Sequence, residues 1–112
     1  TRADETIGYI VIEEGSGSVS GVAYEAALGA DTVRGFSDSA TPYTYSLSSG
    51  LSSASAAAVS ISSMDGNNGA WGVLAGNPAL TTTSIGVYAA EDQLADSERA
   101  HTTTQMSYIV FE

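Results

Sequence analysis

Apolar and polar residues alternate along most of this chain with the period of two that belongs to β-strands, and short clusters of Gly, Ser, Asn and Pro interrupt the alternation. Thr6 to Glu14 places Ile7, Tyr9 and Val11 on one face and Ile10 and Ile12 on the other. With both faces apolar, this stretch predicts a central strand. Gly15 to Gly21 reads as a flexible turn and Val22 to Leu28 as a second strand. A short helix competes there, because Ala26, Ala27 and Leu28 are good helix formers. Pro42 to Leu47 alternates again, and the leading proline suits an edge strand.

Ser48 to Ser55 reads as a loop, after which Ala57, Val59 and Ile61 alternate with Ala58, Ser60 and Ser62 as a half-buried strand. Asp65-Gly-Asn-Asn-Gly69 is the densest turn signal, and Trp71, Val73 and Ala75 follow it, which predicts a hairpin. Ser84 to Ala90 sets Ile85 and Val87 opposite Gly86 and Tyr88, and the polar stretch Glu91 to Ala100 leads to a last strand, His101 to Phe111. Seven or eight short strands at this spacing predict an all-β antiparallel sandwich or barrel. The two most apolar strands, Ile7 to Ile12 and Met106 to Phe111, are expected to be neighbours at the centre of a sheet. No internal repeat and no amphipathic helix of normal length emerge from the pattern.

Composition narrows the class. Of 112 residues, 28 are Ser or Thr and 12 are Gly, small side chains that favour extended backbone; the 31 apolar residues other than alanine suffice for one modest core. The chain holds 13 Asp and Glu against three arginines, Arg2, Arg34 and Arg99, and no lysine, for a formal net charge of -10. That field repels nucleic acid and anionic membrane, so neither is expected as a partner. No apolar run approaches the roughly 18 residues needed to insert across a bilayer. Cysteine is absent, so the fold stands without disulfides. Surplus carboxylates without lysine match secreted, cell-surface or high-salt proteins, including those of marine or halophilic organisms. A start at Thr1 without a leader reads as a mature chain or a module of a longer extracellular protein.

One histidine and no cysteine leave little for nucleophilic catalysis, so an enzyme is not expected. His101 reads either as a polar residue opening a strand or as part of a ligand site. Gly15 to Gly21 lacks the lysine and spacing of a phosphate-binding loop. Asp65 to Gly69 offers alternating oxygen donors in the manner of a calcium loop, or is simply a turn. Glu91, Asp92, Asp96 and Glu98 put four carboxylates within eight residues. They are either candidate calcium ligands or a solvated loop. Trp71 and the six tyrosines supply aromatic faces for sugar stacking, with a core or inter-subunit anchor as the competing role for Trp71.

The stretch from Tyr45 to Glu112 resembles H-type lectins through Tyr45, Ala57 to Asp65, Trp71-Gly-Val-Leu74, Thr82 to Tyr88 and Met106 to Phe111. Ile10-Val-Ile-Glu-Glu-Gly15 is similar to the early strand whose acidic residue and glycine contact sugar in that family. The resemblance implies a six-stranded antiparallel sandwich assembled as a trimer, with Glu13, Glu14 and Gly15 at the sugar. Two features depart from it. Glu91-Asp92 stands where the family has a Trp-His pair, and the Trp71 strand lacks the family's sugar-binding arginine, so specificity for N-acetylgalactosamine does not carry over. Glu5 to Glu13, Asp96 to Thr103 and Ser107 to Val110 are also similar to a module of large secreted bacterial adhesins and polysaccharide-active proteins.

The expectation is therefore a non-catalytic carbohydrate-binding or adhesive module that takes a glycan or polysaccharide. Glu13, Glu14, Gly15, Trp71, Tyr88, Asp92 and His101 are its ligand-site candidates, and Glu91, Asp92, Asp96 and Glu98 its calcium candidates. The alternative is a structural subunit of a surface layer, sheath or filament.

Overall fold

The computed structural model describes residues 4, 6–94 and 97–112. They form seven strands: β1 (Gly15–Val19), β2 (Val22–Leu28), β3 (Tyr43–Ser46), β4 (Ala56–Ile61), β5 (Ala70–Leu74), β6 (Ser84–Glu91) and β7 (Met106–Phe111). Two antiparallel sheets, ordered β1-β2-β7-β4 and β3-β6-β5, face each other as a small sandwich, and no described residue is helical. Among the described residues no helix is long and apolar enough to cross a membrane.

The core lies between the sheets and follows from strand alternation. β7 turns Met106, Tyr108 and Val110 inward, and β6 answers with Ile85, Val87 and Ala89, all buried. Val33, Tyr45, Leu47 and Leu51 complete the cluster. The rings of Tyr45 and Tyr108 stack across the two sheets with centroids 5.6 Å apart. β6 is buried on both faces, because its outward side is roofed by Phe36, whose ring lies 4.3 Å from that of Tyr88.

Four expectations need correction. Residues 7–12 form no strand: Ile7, Tyr9 and Val11 are 80%, 85% and 86% exposed. The expected pairing of this segment with the last strand fails because β7 already has a neighbour on each side, β2 and β4. The segment instead passes over the outward face of that sheet, leaving a groove of about 860 Å³ above Ala26, Leu28, Ala58 and Ile109. Next, residues 15–19, read as a turn, are a fully exposed edge strand; the turn is confined to Ser20 and Gly21, both at positive φ (51° and 83°). Two such residues make the tight hairpin whose twist suits flanking strands. Third, Asp65 to Gly69 closes no hairpin. It carries the chain from one sheet to the other, since β4 pairs with β7 and β5 with β6. Residues 101–105, expected to open the last strand, precede it as irregular chain with a single bridge from Thr104 to Val33.

Candidate functional site

The C-terminal end of β6 delivers Glu91 and Asp92 to one end of the sandwich, where the loop 63–70 and the chain around 98–102 converge. The amide of Asp92 donates to the carbonyl of Gly69 at 2.8 Å, which ties the acidic strand end to the turn. Between them lies a depression of about 290 Å³ lined by Ser63, Asp65, Asn67, Asn68 and His101 together with the ends of β4 and β5.

Buried Glu91 is the unusual group here. Burial pushes its carboxyl above the ordinary range, and a hydrogen bond to the Glu98 carboxyl and the charge of Glu98 push it further. Asn68 and the proximity of His101 pull the other way without reversing the shift. Its Oε2 is buried with no protein hydrogen-bond partner. A carboxyl in such a place favours its neutral form, which makes Glu91 a poor bare-carboxylate ligand for a cation. Among the described residues, no three His, Asp or Glu side chains converge as metal ligands. Calcium therefore gains no support from this geometry. Asp96, the fourth candidate ligand, lies outside the described residues.

His101 is buried rather than exposed in a binding groove. Its Nδ1 sits 2.7 Å from the carbonyl of Thr102, and since a carbonyl only accepts, Nδ1 carries the proton and Nε2 is left on the side of Gly66 and the depression. Asp38, which the sequence pattern did not single out, fixes this region. One of its carboxylate oxygens accepts from the amides of Gly35 (3.0 Å) and His101 (2.9 Å), and the other pairs with Arg34 at 2.9 Å. Arg34 in turn donates to the carbonyl of His101. The signal that marked Asp38 was weak: one acidic residue in a loop of Gly, Ser and Asp.

The structure separates the remaining candidates. Tyr88 is buried against Phe36 and its hydroxyl donates to the carbonyl of Ser39 at 2.9 Å, so neither its ring face nor its hydroxyl is offered to a ligand. Glu13 and Glu14 are exposed just before β1, the edge strand of the other sheet, and Gly15 opens that strand at φ 135°. They do not join the cluster at Glu91. Asp92 and Glu98 are exposed, with carboxylates that accept from the amides of Leu94 and Ala100. Trp71 is 55% exposed on the edge strand β5, paired with Ala90. It points to the face opposite Ala70, which lines the depression, so platform and depression share a strand end but not a face.

Glu25 is a buried acid that the pattern placed in a strand without a role. Its carboxylate accepts from the amides of Ser48 and Ser49 and lies 3.4 Å from the hydroxyl of Tyr108. Burial pushes its carboxyl up, but these hydrogen bonds outweigh it and hold the group below its ordinary value. Its work is structural: it pins the loop after β3 to the centre of the larger sheet. Compared with known proteins, the chain matches no family profile, no curated protein and no solved structure.

Proposed function

We propose that this domain is a non-catalytic carbohydrate-binding or adhesive module acting outside the cell, in keeping with its resemblance to H-type lectins. The observation that carries the reading is Trp71, a large aromatic face open to solvent on an edge strand. At the same end of the sandwich, though not on the face of its ring, are hydrogen-bonding groups suited to sugar hydroxyls, Asp65, Asn67 and Asn68 at the depression, with exposed Asp92 at the end of β6. Ring stacking plus a few fixed acceptors is the chemistry a weak, shallow glycan site needs. A non-catalytic role is supported by composition, since one histidine and no cysteine leave little for nucleophilic catalysis. Screening the protein against glycan arrays and acidic and neutral polysaccharides, with and without calcium, tests the reading; Trp71→Ala should abolish retention while the melting temperature stays within a few degrees. Absence of any retained glycan in both conditions removes it.

One observation favours the second reading, a structural subunit of a surface layer, sheath or filament. The exposed apolar side chains of Ile7, Tyr9, Ile10 and Val11 form a continuous sticky segment of a kind soluble monomers rarely present. Light scattering across protein and salt concentration separates the two, since the structural reading requires polymers.

A further inference from the structure

The exposed N-terminal segment is a second copy of the strand at the centre of the larger sheet. Thr6-Ile-Gly-Tyr-Ile-Val-Ile-Glu13 and Gln105-Met-Ser-Tyr-Ile-Val-Phe-Glu112 agree at four of eight positions: Tyr9 with Tyr108, Ile10 with Ile109, Val11 with Val110 and Glu13 with Glu112. Ile7 stands for Met106 and Ile12 for Phe111, so every position that β7 makes apolar is apolar in the segment too. This short duplication escapes a search for repeats of domain or solenoid length.

The two copies have opposite fates. β7 is hydrogen-bonded on both sides, with Met106, Tyr108 and Val110 buried in the core. Residues 6–13 lie in no sheet, and the matching side chains Ile7, Tyr9 and Val11 are at least 80% exposed. The segment packs only loosely where it lies: it shares with the outward face of the sheet a groove of about 860 Å³, and Ile12 alone of its apolar side chains is half-buried, short of the close packing of a settled element. A sequence that fits one slot and finds that slot filled in its own domain is a strand whose partner lies elsewhere.

We infer that Thr6–Glu13 is the seventh strand of a second copy of this domain that has no β7 of its own, filling there the slot between β2 and β4 that β7 fills here. In that slot Tyr9 would stack on the copy's Tyr45 and reach its Glu25, while Ile7 and Val11 would enter the core. Only Glu14 separates the segment from β1, so the completed copy would abut this one directly and successive copies would run head to tail. The inference is independent of glycan binding. It concerns the opposite sheet from Trp71.

Two experiments test it. In the complete chain, Gln105→Thr, Met106→Ile, Ser107→Gly and Phe111→Ile together convert β7 into the N-terminal sequence. The variant should fold cooperatively and melt within about 10 °C of the parent, because the apolar pattern is preserved; failure to fold overturns the inference. In the second, residues 14–103 are fused in front of residues 5–112, so that Glu5 takes the place of Thr104 and the upstream copy has no seventh strand except the segment. Hydrogen exchange at the amides of Ile7, Tyr9 and Val11 should slow at least about 100-fold relative to the parent chain, and Tyr9→Asp should abolish that protection while leaving β7 of the downstream copy protected. Exchange at the parent rate in a fusion whose downstream domain is folded overturns the inference even if the first variant folds.

Discussion

Removing the carboxylate of Glu25 should cost this domain a large part of its stability, and the size of the loss can be worked from its contacts. The amide of Ser48 donates to it at 2.9 Å and that of Ser49 at 2.7 Å. Both bonds are charge-assisted, and such bonds contribute roughly 1.5–3 kcal/mol each. Taking the lower figure, because the Ser48 and Ser49 region is only partly buried, Glu25→Ala forfeits about 3 kcal/mol. For a domain of this size each kcal/mol shifts the melting temperature by about 4 °C, so a fall of about 12 °C is expected by calorimetry at pH 7. Glu25→Gln keeps one acceptor oxygen without its charge and should lose about half as much. The pH dependence supplies the second readout. The folded pKa lies below the ordinary value, so the carboxylate stabilises fully above the unfolded pKa and its contribution fades as the pH falls through the folded one. The gap in melting temperature between parent and Glu25→Gln should therefore narrow in acid. A fall of less than about 3 °C for Glu25→Ala, or a gap to Glu25→Gln that does not change between neutral and strongly acid pH, refutes the assignment.

Glu91 should show the opposite sign. Its folded pKa is raised, so it favours the folded state below the unfolded pKa and loses that contribution as the pH climbs through the folded value; Glu91→Gln should melt higher than the parent at pH 8 and show no gain in acid. Tyr108 is pushed up to about 12 by burial first and by the charge of Glu25 second. Its phenol should ionise late in an alkaline absorbance titration, and stability should drop between the unfolded value near about 10 and that point; Tyr108→Phe should remove the late step. A methyl group at Gly29 would run into the ring of Tyr45, so Gly29→Ala should destabilise by about 1–3 kcal/mol in urea melts and disturb the near-ultraviolet signal of the stacked tyrosines.

The strands from Val22 onward were legible because their side chains alternate, in most of them with one face on a shared core. Ala57, Val59 and Ile61 show it most cleanly, half-buried between exposed neighbours. Pattern alone misplaced residues 7–12, whose two apolar faces suit a central strand; what decides is competition for the slot, and β7 holds it. It also missed β1, because Gly15 to Val19 has almost no side chains to bury and pairs with β2 only through the tight turn at Ser20 and Gly21. At the candidate site, the acidic residues Glu91 and Glu98 were visible as a cluster, but the burial of Glu91, His101 and Tyr88 was not. Burial there depends on loops 34–39 and 98–102 folding over strand ends, and loops carry no periodic signal. Asp38 was invisible for the same reason: its three partners lie three residues, four residues and 63 residues away.

The position of β7 has a consequence for how the chain reaches this state. The strand that closes the larger sheet is the last of the seven to be synthesised, and it must enter between β2 and β4, meeting Ala26 through Ile109 across 83 positions of sequence. Until it arrives, β2 and β4 have no partner in common, and the inner face of β6 lacks the cover of Met106, Tyr108 and Val110. Such long-range closure makes for high contact order and slow folding. During translation the incomplete sheet is an open acceptor for any strand of matching pattern that reaches it first.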